Sequence, residues 1–148
     1  MKYKGIIFDL DGVICSTDEY HYQAWKAPAD LTDEVRNTLH TLRSAGLKLA
    51  IGSSSKNTPF ILERIGLSGF FDVVADGNMI THSKPHPEVF LKAADLIGLS
   101  PSDCLVVEDA RAGVEAAVAG GFACAAIGDA KDDVRADHHL DVLSDLLR

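Results

Sequence analysis

Cysteine is scarce in this chain: Cys15, Cys104 and Cys124 are an odd set with no CxxC pair among 148 residues. That excludes a disulfide framework and makes a reduced, cytoplasmic compartment the expectation. No apolar stretch approaches the ~20 residues a membrane helix needs, and the first residues show no signal-peptide pattern, so no membrane partner is expected. Positive charge is short as well, with 14 Lys and Arg against 22 Asp and Glu and a formal net charge of −8. Such a field argues against nucleic acid or an anionic membrane as a partner. It leaves room for a small anionic substrate, because local cations and a metal can offset it. Aromatic residues are only 7% of the chain. Internal repeats and low-complexity tracts are also missing.

What is present is an ordinary globular composition, 47% hydrophobic and 24% charged. A single domain over residues 1–148 is expected, large enough to bury roughly two-thirds of its unfolded surface. Strand-like apolar runs recur at 5–8, 47–51, 72–75, 104–107 and 123–127. Helical patterns separate them at 31–45, 57–65, 85–97 and 112–119, and a weaker one closes the chain at 142–147. Asn57 and Pro59 mark a helix start and Gly66 a stop, with Asn57 as the capping residue. Strand–helix alternation predicts right-handed crossovers and an α/β fold: a doubly wound, Rossmann-like parallel sheet in three α/β/α layers.

The chemically loaded residues sit where the strands end. The run Ile6–Ile7–Phe8 finishes on Asp9–Leu10–Asp11–Gly12. Alternation places Asp9 and Asp11 on one side of the chain, and the carboxyl end of a strand is where open α/β sheets bind ligands. The bland alternative is an Asp-Gly turn. The second run is followed by Ser53, Ser54, Ser55, Lys56 and Asn57, whose hydroxyls and amides suit phosphate oxygens or merely cap a helix. Lys84 precedes Pro85 and could lie across an anion as a point charge, or simply be a surface lysine. Glu108 and Asp109 follow Leu105–Val106–Val107, and charges ending a buried strand need partners, of which a cation is the economical one.

Taken in order, this pattern resembles the haloacid dehalogenase superfamily of phosphohydrolases and phosphomutases. The stretches from Phe8 to Ile14, from Glu19 to Lys26, from Ser53 to Asn57 and from Ser83 to Pro85 are similar to its beta-phosphoglucomutase branch. The resemblance implies that Asp9 is the nucleophile forming an aspartyl phosphate. It implies that Asp11 is the general acid/base and that Asp9, Asp11 and Asp109 hold Mg²⁺, with Glu108 orienting the surrounding shell. Ser53 and Lys84 would hold the transferring phosphoryl group with amides near Leu10 and Gly12. Ser54 would bind substrate, Ser55, Lys56 and Asn57 would grip the second phosphate of a sugar bisphosphate, and His21 would lie near the acid/base. The implied partner is a small phosphate ester of the sugar-phosphate kind. The remaining histidines, including His138 and His139, read as surface-loop residues without metal-ligand spacing.

The chain departs from that branch in one respect. The family inserts a helical cap after the first helix following Asp-x-Asp, and here that segment runs through Pro28 directly into the helix expected at 31–45. Residues 18–27 read as the remnant of the cap hinge. Tyr20, Tyr22 and Trp25 would then form a surface open to self-association, or else a helix packed on the sheet. Without a cap, water reaches the site, so net hydrolysis is expected over transfer to a sugar. The alternatives are a true beta-phosphoglucomutase and a non-catalytic scaffold that keeps phosphate and Mg²⁺ binding. A phospho-accepting receiver of similar fold is disfavoured, because its phosphorylated Asp lies on a middle strand.

Overall fold

The computed structural model describes residues 2–15 and 31–148. Six parallel strands form one sheet: β1 (Gly5–Phe8), β2 (Lys48–Gly52), β3 (Val73–Ala75), β4 (Cys104–Glu108), β5 (Ala123–Ala126) and β6 (His138–His139). Their spatial order is β3-β2-β1-β4-β5-β6. The chain winds outward from β1 to β3 and then returns to the far side of β1 with β4. The order reverses between β1 and β4, so the crevice at their carboxyl ends is the switch point of a doubly wound sheet. The expected α/β/α architecture is therefore the observed one.

The layers follow from the pleat. Ile6, Phe8, Leu49, Ile51, Leu105 and Val107 face α1 (Asp33–Ser44) and α2 (Thr58–Arg64) in one core. Ile7, Ala50, Val106, Cys124 and Ala126 face α3 (Glu88–Ile97) and α4 (Arg111–Ala119) in the other. Because both faces are covered, all four residues of β1 are buried, as an unbroken apolar run requires. Small residues dominate the second core and large aliphatic ones the first. Among the described residues no helix is long and apolar enough to cross a membrane.

Local chemistry sets the element boundaries. The first helix begins at Asp33 rather than Leu31, because the Thr32 side chain accepts a hydrogen bond from Val35 N at 3.2 Å and caps it. Asp33 and Glu34 in its first turn and Arg43 in its last complement the helix dipole. Asn57 does occupy the cap position of α2, but its side chain makes no capping hydrogen bond. The third helix starts at Glu88 rather than Pro85: Pro85 and Pro87 lack N–H donors, and residues 81–87 wind into turns first. The last expected helix is a 3₁₀ turn at Leu143–Leu147. The histidine pair expected in a loop is strand β6, which pairs with β5 through Ala125–His138 and Ala126–His139. Residues 18–27, with Tyr20, His21, Tyr22 and Trp25, lie outside the described residues.

Leu39 has no exposed surface and seats α1 on the sheet. Leu39→Ala is expected to cost about 2–5 kcal/mol by the usual cavity penalty, read as a lower urea midpoint with unchanged slope.

Candidate active site

Asp9 is the first residue beyond β1, and its N–H still donates to Val107 O at 3.0 Å, continuing the ladder toward β4. That register sets it beside Glu108 at the end of β4. Lys84 reaches both, with Nζ 2.9 Å from Asp9 Oδ1 and 2.5 Å from Glu108 Oε2. Side-chain exposure is 11% for Lys84, 13% for Asp9 and 0% for Glu108, so this is a partly desolvated triad rather than a surface ion pair. The Lys84 ammonium also lies 4.7 Å above the centre of the Phe90 ring. A cis peptide joins Lys84 to Pro85.

Glu108 is held on both oxygens. Oε2 takes the ammonium, while Oε1 accepts the N–H groups of Asp109 at 3.1 Å and Ala110 at 3.2 Å. Its carboxyl is packed against Gly113 on α4 so closely that any Cβ there would overlap it. Asp109 is fitted in the same way against Gly12, whose φ of +81° already lies in the left-handed region. The Gly12 turn closes on itself, with Gly12 N donating to Cys15 O at 2.7 Å.

Asp9, Glu108 and Asp109 each offer a carboxylate oxygen within 4.8 Å of the others. The electrostatic consequence is visible in the acids. Burial first, and then the charge of Asp9, push the Glu108 carboxyl up to about 7. Burial, Asp9 and Glu108 raise Asp109 to about 7, with the Asp11 charge adding to the effect. A hydrogen bond between the Asp109 and Asp9 carboxyls contributes too, and only a protonated carboxyl can donate it. For Lys84, burial lowers the pKa, but Asp9 and Glu108 more than offset it, so the ammonium stays charged. A cation among these acids would relieve the same repulsion. An all-oxygen donor set with excess negative charge fits Mg²⁺, which takes carboxylates and keeps several waters.

The loop after β2 ends at the same edge of the sheet. Ser53 is buried, its N–H bonded to Ala75 O and its Oγ accepting Ser55 N at 3.2 Å. Ser55 Oγ accepts Asn57 N at 3.1 Å, and Thr58 Oγ1 donates to Ser55 O at 2.9 Å. The Ser54 hydroxyl is buried without a hydrogen-bond partner among the described residues, whereas Lys56 and Asn57 are exposed. A second loop braces this one: Gly77 N donates to Ser55 O, Asn78 Nδ2 donates to Lys56 O, and buried Asp76 accepts Asn78 N. Asp76 and Asn78 went unread in the sequence, although an acid ending an apolar run was the signal used at Asp9 and Glu108. The structure thus gathers Asp9, Lys84, Glu108 and Asp109 in contact, with Asp11 in electrostatic range and Ser53 one strand away.

Comparison with known proteins adds an independent line. A family model described as haloacid dehalogenase-like hydrolase matches residues 28–121. Beta-phosphoglucomutase of Bacillus subtilis (strain 168) is 27% identical over 206 residues, spanning 97% of this chain and 91% of that protein. That span exceeds the 148 residues here, so the relative carries several dozen residues without counterpart. Phosphoglycolate phosphatase of Salmonella typhi is 34% identical over 114 residues, 75% of this chain but 44% of that enzyme. The crystal structure of beta-phosphoglucomutase from Clostridium difficile superposes with a TM-score of 0.86 at 24% identity, covering 97% of this chain and 93% of that one.

Raised folded-state pKa values mean that the native state binds protons more tightly than the unfolded chain between about pH 4 and 7. Metal-free protein should therefore lose thermal stability as pH rises through that window, and Mg²⁺ should restore it. Mg²⁺ affinity by calorimetry should strengthen from pH 6 to 8 with proton release. Gly12→Ala, which drives a methyl into Asp109 and strains the turn, should weaken Mg²⁺ binding about tenfold or more in the same titration.

Proposed function

Since the chain belongs to the haloacid dehalogenase-like hydrolases, we propose that it transfers phosphoryl groups from small phosphate esters through an aspartyl phosphate on Asp9, with Mg²⁺ as cofactor. The observation that carries this reading is the convergence of Asp9, Glu108, Asp109 and Lys84 at the β1–β4 switch point. Asp9 and Asp109, with a backbone carbonyl near Asp11, would hold the ion. When bound, Mg²⁺ supplies Lewis acidity and neutralises charge on the phosphoryl oxygens.

The rest of the cycle belongs to the chain's own groups. An Asp9 oxygen attacks phosphorus as the bond to the ester oxygen breaks, and Asp11 gives that oxygen its proton. Water then attacks the aspartyl phosphate, losing a proton to Asp11, and inorganic phosphate leaves with Asp9 and Asp11 restored. Lys84, aimed by Glu108, offsets charge on the phosphoryl oxygens, with Ser53 donating a hydrogen bond. Glu108 is a positioning residue here, because both its oxygens are engaged by Lys84 and the backbone. Three buried free thiols support a reducing, cytoplasmic setting.

Sugar phosphates are the favoured substrate class, supported by the similarity to beta-phosphoglucomutase and by the Ser53–Asn57 loop. Hydrolysis is favoured over mutase turnover because residues 12–32 are all that separate Asp11 from α1. A segment that short leaves no room for the several dozen additional residues of the relative, so water can compete for the phosphoenzyme. With Mg²⁺, the protein should release phosphate from para-nitrophenyl phosphate and from beta-glucose 1-phosphate. Asp9→Asn should reduce release to background, and Asp11→Asn should reduce it by about 10²–10⁴-fold. Formation of glucose 6-phosphate in the presence of glucose 1,6-bisphosphate would establish the mutase instead. Mg²⁺ binding without turnover on either ester would establish a scaffold.

A further inference from the structure

Among the described residues, a second group gathers metal-ligating atoms: His82, His86 and Glu88, all within 4.8 Å of one another. It differs from the carboxylate site in both chemistry and exposure. The two sets interleave along one turn, where Lys84 is drawn inward to Asp9 and Glu108 while His82 and His86 stay exposed. The backbone has already organised the outer set. Glu88 accepts Thr81 N at 3.0 Å and His82 N at 2.9 Å, which pins its carboxylate under the turn. His82 Nδ1 lies 3.3 Å from Glu88 Oε1. Ligand bonds of ~2.0–2.1 Å at a tetrahedral ion separate neighbouring donors by about 3.3 Å, so this edge already has the spacing of a coordination shell. His86 stacks on His82 with ring centres 4.8 Å apart, and its Nδ1 presents a lone pair to Glu88 N at 3.1 Å.

We propose that His82, His86 and Glu88 form a binding site for a divalent transition ion of the zinc class, separate from the carboxylate site. Two imidazoles and one carboxylate suit Zn²⁺, Cu²⁺ or Ni²⁺ and are a poor match for Mg²⁺, so the two sites of the chain select different metals. Binding needs no net loss of a proton, only a change of tautomer and of hydrogen-bond partner. His82 moves its Nδ1 proton to Nε2, and His86 gives up the Glu88 N–H bond for the metal. Water completes the shell on the exposed side. The ion would tie residue 82 to residue 88 across the turn that carries Lys84.

The test is zinc titration calorimetry on untagged protein in excess Mg²⁺, using the Asp9→Asn, Asp109→Asn double variant to silence the carboxylate site. One equivalent of Zn²⁺ should bind, and His82→Ala or His86→Ala should weaken it about tenfold or more. Cu²⁺ added to the otherwise unmodified chain should show imidazole nitrogen coupling in its electron paramagnetic resonance spectrum, reduced by either substitution. Both histidines are exposed, so these variants should fold. Zinc binding that is indifferent to both substitutions would overturn the proposal, as would no binding by the double variant.

Discussion

Carboxylates crowded at the end of a buried sheet are the constraint around which this molecule is organised. Parallel pairing of β1 with both β2 and β4 brings Asp9 beside Glu108, and no solvent reaches the Glu108 side chain. Like charges in that setting are tolerated only with positive charge or protons among them. Lys84 supplies one charge. Burial and the neighbouring Asp9 and Glu108 charges raise the Asp109 carboxyl to about 7, which marks where a second cation fits. The glycines at 12 and 113 are consequences of the same crowding, since each gives up its side chain to a carboxyl group. Lysine and glycine are answers to one crowding of carboxylates.

The parts of the fold and site legible in the sequence were those where charge interrupts an apolar run. Asp9, Asp11, Glu108 and Asp109 stood out because a strand buried on both faces has no structural use for an acid at its end. Five of the six strands were legible for the related reason that each is built around a short apolar run. Strand β6 was not: two exposed histidines carry no periodicity, and the strand exists because β5 offers a free edge and Asp137 accepts Cys124 N. The brace from Asp76 to Asn78 and the grouping of His82 with His86 and Glu88 depend on how turns wind. Turn geometry is set by tertiary contacts that a linear pattern does not encode.

The relationship to beta-phosphoglucomutase and phosphoglycolate phosphatase sets the chemistry apart from the choice of acceptor. The residues proposed to contact phosphorus or a metal belong to the sheet and its loops, whereas the segment between β1 and α1 is short. In the proposed mechanism, a phosphoenzyme that water can reach meets it at far higher concentration than any sugar. Reaction class is then a property of the core, and selectivity a property of whatever covers it.

The pairing of β1 with β4 also has a temporal side. Gly5 and Cys104 are partners in the register, so the central ladder closes a loop of roughly a hundred residues. On the ribosome, Asp9 is made about a hundred residues before Glu108 and Asp109 and must wait for them. A nascent chain therefore cannot assemble the acidic cluster before β4 has been made.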